Sequence, residues 1–188
     1  MPTWLKVVLI GFVLPTIIGG VVLLVAGRQV VFELVERRTA KRFPDVKWIA
    51  QDQVAGWGSD SARPQPLLLD ARTEIEYDVS RLKGAVRIDP YRPSLRPLRD
   101  LTKESPVVVY SSAGYRAARV ASWLGQQGYT NVRNLEGGIF AWVNQGHPVF
   151  RNDAPTAQVH PYNRMWGYLV EGDHRADAPD LEKRSAAP

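Results

Sequence analysis

Cysteine is absent from this 188-residue chain. That excludes disulfides, thiolate metal sites and any persulfide carried on the chain's own side chains, since each needs a thiolate. It leaves the compartment open. Histidine is scarce too: His147, His160 and His174 are the three in the chain, all late and without metal-ligand spacing, so no metal and no cofactor is expected. No stripe of basic residues interleaved with aromatics is present. The net charge of +5 comes from scattered Lys and Arg, which argues against nucleic acid as a partner. No internal repeat is visible, and 45% hydrophobic content suits one packed domain with appendages.

Charge is also missing from Val7 to Gly27, a predominantly apolar run of 21 residues. That length suits a helix crossing a hydrocarbon core. A cleaved secretory signal is the competing reading, but its apolar part would be about 7–15 residues. Residues 1–27 are therefore expected to be a single-pass membrane anchor, with Trp4 at the interface and Pro15 within the span. Arg28, Arg37, Arg38, Lys41 and Arg42 crowd the following flank, against Lys6 before it, which favours a cytoplasmic domain. Residues 28–45 read as a basic juxtamembrane helix, continuous with the span or a solvated connector, ended by Pro44.

From Val46 the chain alternates short apolar runs with helical patterns, the signature of an α/β fold with a parallel-type sheet flanked by helices on both faces. Val46–Ile49, Leu67–Leu69, Ala85–Ile88, Pro106–Tyr110 and Val132–Leu135 read as strands; Gln51–Trp57, Thr73–Tyr77, Tyr115–Gln127 and Gly138–Asn144 read as helices. Thr73 and Glu76 have capping-box spacing. The 46–150 segment forms the domain. Residues 151–188 form an extension: Val159 to Val170 is aromatic and expected to pack back on the domain, and the charged Gly172–Pro188 stretch is expected to be disordered.

The chain is organised around Ser111-Ser112-Ala113-Gly114-Tyr115-Arg116, a tight loop between a buried strand and a helix. Such a turn directs backbone N–H groups and the positive helix end at one spot, and Gly114 permits φ > 0. Arg116 adds a planar cationic fork suited to sulfur or phosphorus oxyanions. Asp70 and Arg72 close the preceding strand, as a supporting ion pair or as part of the site. Arg92, Arg96 and Arg99 would line an anion pocket if their loop folded over Ser111; solvation is their default.

This loop resembles the active loop of rhodaneses, in which a cysteine, two variable residues, Gly, one variable residue and Arg follow a central strand. Leu67–Arg72 (LLLDAR), Glu76-Tyr77, Gly84-Ala85-Val86 and Leu135–Trp142 (LEGGIFAW) resemble further family segments, over roughly 46–149. Two positions depart: Ser111 stands at the cysteine, and Arg81 where the family usually has His. The resemblance implies a sulfurtransferase fold whose nucleophile is gone, because an alcohol is too weak an acid to form the attacking anion without an adjacent base. The expected function is a catalytically silent, membrane-anchored pseudoenzyme binding an anion (thiosulfate, sulfate or phosphate) or a protein partner. The alternatives are a sulfurtransferase-family enzyme altered by a natural or engineered Cys to Ser change, a phosphate or sulfate ester hydrolase using Ser111, and a purely structural part with a vestigial loop.

Overall fold

The computed structural model describes residues 14–57 and 64–176, with side chains from Ala26 onward. Helix α1 (Leu14–Arg42) is followed by β1 (Lys47–Ile49), α2 (Gln51–Trp57), β2 (Leu67–Asp70), α3 (Glu74–Val79) and β3 (Val86–Arg87). After a 3-10 turn at Arg96–Leu98 come β4 (Val107–Tyr110), α4 (Tyr115–Gln126), β5 (Val132–Leu135) and α5 (Gly138–Asn144). A hairpin of β6 (Val149–Arg151) and β7 (Ala154–Thr156) and two 3-10 turns, Trp166–Leu169 and Gly172–His174, complete the chain.

Five strands form one parallel sheet in the order β1-β5-β4-β2-β3. The central strand β4 is buried along its whole length, and its side chains alternate between two cores. Val108 and Tyr110 join α5 (Ile139, Phe140, Val143), while Val107 and Val109 join α4 (Ala118, Val120, Leu124). Each fully buried aliphatic or aromatic side chain contributes about 1.5–3 kcal/mol. Burial on both faces explains the unbroken Val-Val-Val-Tyr run. Consequently the β4–α4 loop emerges at the carboxyl end of the middle strand, where open α/β sheets place ligands.

Helix α1 runs without interruption into the 28–42 stretch, and it rests on α4 and on the Trp166–Leu169 turn, where Arg28 lies over the Tyr168 ring. Phe32 and Val35 pack against the α5-side core. The expected span Val7–Gly27 begins outside the described residues. Among those described, no helix is long and apolar enough to cross a membrane; Leu14–Gly27 alone falls short of the ~20 apolar residues a crossing needs, and Arg28 and Glu33 follow it.

The extension is more ordered than its composition suggested. Asn152 (φ 46°) and Asp153 (φ 66°) turn the antiparallel hairpin, which no pattern in the sequence marks off from the rest of the extension. Val159, Leu169, Val170 and Ala176 are buried, and Val159 bridges Arg175. Disorder was expected from Gly172; instead the fold continues through Ala176, because Val159, Leu169 and Val170 join the α5-side core and the backbone of His174 and Ala176 pairs with Val159. Residues 177–188 lie outside the described part.

Candidate functional site

Ser111 sits at the end of β4, 1% exposed, and its Oγ accepts hydrogen bonds from the Gly114 N–H (3.2 Å) and the Ala117 N–H (3.4 Å). Gly114 has φ 98°, which lets the chain double back so that these amides converge on the Ser111 side chain. Its carbonyl is held by Asn134 Nδ2 at 3.0 Å. Four further amides of the loop, those of Ser112, Ala113, Tyr115 and Arg116, meet no acceptor among the described residues. The loop is thus a nest of N–H groups at the start of a three-turn helix, a ready site for negative charge.

From below, the loop is fastened by the Gly137-Gly138 pair. Ile139 N–H donates to the Ser111 carbonyl (2.9 Å) and Phe140 N–H to the Ser112 carbonyl (3.1 Å). Both glycines have positive φ, and a Cβ on Gly138 would collide with Ser111 O and lie 2.7 Å from Ser112 O. Those two carbonyls are thereby turned away from the mouth, leaving the amides to face it.

Arg116 does not stand free as the sequence suggested. Its Nη1 and Nη2 donate to Glu76 Oε2 (2.7 Å) and Oε1 (2.6 Å), and Nη2 also reaches Ser112 Oγ (2.8 Å). Glu76 in turn accepts from Ser112 Oγ (2.8 Å), Thr73 N–H (3.0 Å) and Thr73 Oγ1 (2.7 Å), and the capping box of α3 is complete. Burial would raise the Glu76 carboxyl pKa, but the Arg116 guanidinium, aided by Arg72 and Thr73, holds it down to about 2. The ordered pair makes Arg116 a fixed, largely neutralised wall instead of an open anion clamp. Glu76 was not singled out from the sequence as a site residue; its capping-box spacing and the Glu76-Tyr77 resemblance were the signals there, and its partner lies 40 positions away.

Asp70 and Arg72 form a wholly buried ion pair, Arg72 Nη2 to Asp70 Oδ2 at 2.6 Å, with Nε on Oδ1 at 2.9 Å. Arg72 also donates to the Ser80 carbonyl (2.5 Å). Neither lines the cavity; the pair ties the end of β2 to the end of α3. Arg81 packs over Tyr77 and pairs with Phe150 through its backbone, and Arg92, Arg96 and Arg99 are exposed.

A cavity of about 370 Å³ opens over the loop, walled by Ser111, Ser112, Ala113, Tyr115 and Arg116, by Tyr91, and by residues from both ends of the described chain: Val35, Arg38 and Thr39 of α1, and Tyr162 and Trp166. The Arg116 guanidinium lies over the Tyr162 ring at 4.9 Å. Tyr162 has φ 65°, a conformation costing a bulky residue about 1–3 kcal/mol, and its N–H donates to His160 Nδ1 at 2.9 Å. No base touches Ser111 Oγ among the described residues. His147 stacks on Trp142 (4.4 Å) and faces Asp52, and His160 spends Nδ1 on Tyr162. Among the described residues no group of acidic or His side chains is arranged for a metal.

The rhodanese-like domain pattern matches residues 57–145. A sulfurtransferase of Allochromatium vinosum is 35% identical over 83 residues, covering 44% of this chain and 77% of that protein. A tRNA uridine(34) hydroxylase of Erwinia tasmaniensis is 32% identical over 95 residues, 46% of this chain, but the match spans 27% of that relative's length. Among solved structures, a Bacillus halodurans protein superposes with a TM-score of 0.54 over 73% of this chain and 97% of its own, at 18% identity, and so shares the fold. Ser111 occupies the end of the central strand, with a convergent amide loop behind it, in a chain matched to the family over the segment that builds both. This chain belongs to the rhodanese-like family.

Proposed function

We propose that this chain is a rhodanese-like module that does not carry sulfur itself and instead holds an anion at the Ser111–Arg116 loop, tethered to a lipid bilayer through residues 7–27 with its domain on the cytoplasmic side. The observation that carries the reading is Ser111 Oγ at the focus of the Gly114 and Ala117 amides, with no base beside it among the described residues. A thiolate there would be stabilised by the amides and helix dipole and could accept a sulfane sulfur; an alcohol stays protonated in the same field and cannot hold one. The four loop amides without acceptors supply the affinity for negative charge, while Arg116, committed to Glu76, holds the loop's shape. The sulfurtransferase relative supports the chemistry from which the module departs. Ser111 as an ester-hydrolase nucleophile is disfavoured because no base touches its Oγ among the described residues.

The test is sulfur transfer from thiosulfate to cyanide. The native chain is expected to give no turnover above the uncatalysed background, and Ser111→Cys to gain measurable turnover. Activity in the native chain overturns the reading. Isothermal titration with sulfate, with amide shifts followed across 112–116, checks the anion site directly. Flotation of the full chain with vesicles, against a chain lacking residues 1–27, tests the tether.

A further inference from the structure

The cavity above the loop is larger and less polar than a bare oxyanion requires. At about 370 Å³ it has the size of a small-molecule pocket, within the ~300–1,000 Å³ such sites span. Its floor presents amides; its walls present rings and aliphatic surface from Tyr91, Tyr115, Tyr162, Trp166 and Val35. Three of these rings are held in place by a neighbour: Tyr91 under Arg119 (5.5 Å), Tyr162 under Arg116 (4.9 Å), and Tyr115 edge-on to Phe43 (5.7 Å). Rings fixed before a ligand arrives lose little freedom when it binds. Val35, Tyr162 and Trp166 also lie outside the 57–145 segment matched by the family pattern. Tyr162, whose ring lines the cavity beside Arg116, has a positive φ that is held at some backbone cost.

We propose that the loop's ligand is an anion carrying an aromatic or comparably flat apolar body, the anionic end seated on the amides of 112–116 and the body packed between Tyr91, Tyr162 and Trp166. This rests on the anion-binding reading above and adds the class of ligand. A bare tetrahedral oxyanion satisfies the floor but leaves the walls wet. An attached ring covers them and gains the burial and stacking energy of an aromatic pair.

The test uses the full chain and three probes: sulfate, benzenesulfonate, and neutral benzamide, with affinities from isothermal titration and site assignment from amide shifts at 112–116. Benzenesulfonate is expected to bind about tenfold more tightly than sulfate, the ratio that 1.4 kcal/mol of added contact gives, and benzamide more weakly than benzenesulfonate by a similar factor. Tyr91→Ala and Trp166→Ala should each erase most of the preference, read as the ratio of benzenesulfonate to sulfate affinity within the same variant. Tyr91 is 61% exposed, so its variant keeps the fold even if Trp166→Ala does not. If sulfate shifts the loop amides but benzenesulfonate binds no tighter, or if the preference survives both variants, the ligand class is wrong and the anion site stands. Benzamide binding as well as benzenesulfonate also overturns it. If neither anion shifts those amides, the anion site itself falls, and the ligand class with it.

Discussion

Glu76 decides more about the site than the residue at the nucleophile position. One nearly inaccessible carboxylate caps α3, receives both arms of Arg116 and anchors Ser112. Replacing it leaves a guanidinium 12% exposed with no charge to face, and breaking one partner of a buried pair costs about 3–5 kcal/mol. Glu76→Gln is therefore expected to lower unfolding stability by about 3 kcal/mol in urea denaturation at pH 7. The acid limb tests the same pair. With a folded pKa near 2 against an ordinary 4.5, the carboxylate's contribution is complete above 4.5 and is lost as pH falls through that value toward 2. The native chain should lose stability over that window, and Glu76→Gln should lose less. The sequence exposed half of this: Thr73 and Glu76 were legible as a cap because the spacing is local. The Arg116 contact was not, since a long-range pair leaves no periodic trace, and Arg116 consequently read as a free anion ligand.

At the scale of elements, the site depends on how α5 meets the loop. The Gly137-Gly138 step lets the first amides of α5 grip the carbonyls of Ser111 and Ser112. Gly138→Ala would need φ near 58° in a residue with a Cβ aimed at backbone oxygen. It is expected to destabilise by more than about 1 kcal/mol, read as a lowered Tm, and to disperse the amide resonances of 112–116. Elements with strong local patterns were legible before the structure: the all-apolar β4, the alternation of strands and helices, and α4 ending before Gly128, which has φ 90°. The β6–β7 hairpin was not, because strands of 3 residues around Asn152-Asp153 are too short to show alternation and Pro155 argues against a strand. Pro155 is accommodated in a two-stranded ribbon, where one edge of β7 is unpaired.

Across the whole molecule, the site is assembled from segments distant in sequence, and that is why its mouth could not be read in advance. The resemblance covered the floor; beside Tyr91 and Tyr115, the walls come from α1 and from the stretch around Tyr162 and Trp166, outside the 57–145 segment the family pattern matches. This arrangement carries a pH dependence. Burial, with Arg72 and Arg116 nearby and Glu76 opposing, holds the His160 pKa below its ordinary 6.5. Its Nδ1 can accept from the Tyr162 N–H only in the neutral form. The folded pKa is depressed, so the contribution is full above 6.5 and falls as pH drops through 6.5 toward the lowered value. Corrected for the intrinsic pH dependence of exchange, the protection of the amides at 157–176 is expected to fall as pH drops below 6.5 while the β4 amides stay protected, and His160→Gln should flatten that change.

Because one wall is α1 and another the Tyr162–Trp166 stretch, a bound molecule acts as a clasp between the two ends of the described chain. Occupancy should slow protease nicking after Arg164 as effectively as it raises Tm. Conversely, pulling α1 away from α4 would open the clasp and release its contents, so a force applied to the chain's amino-terminal helix becomes a force on ligand affinity.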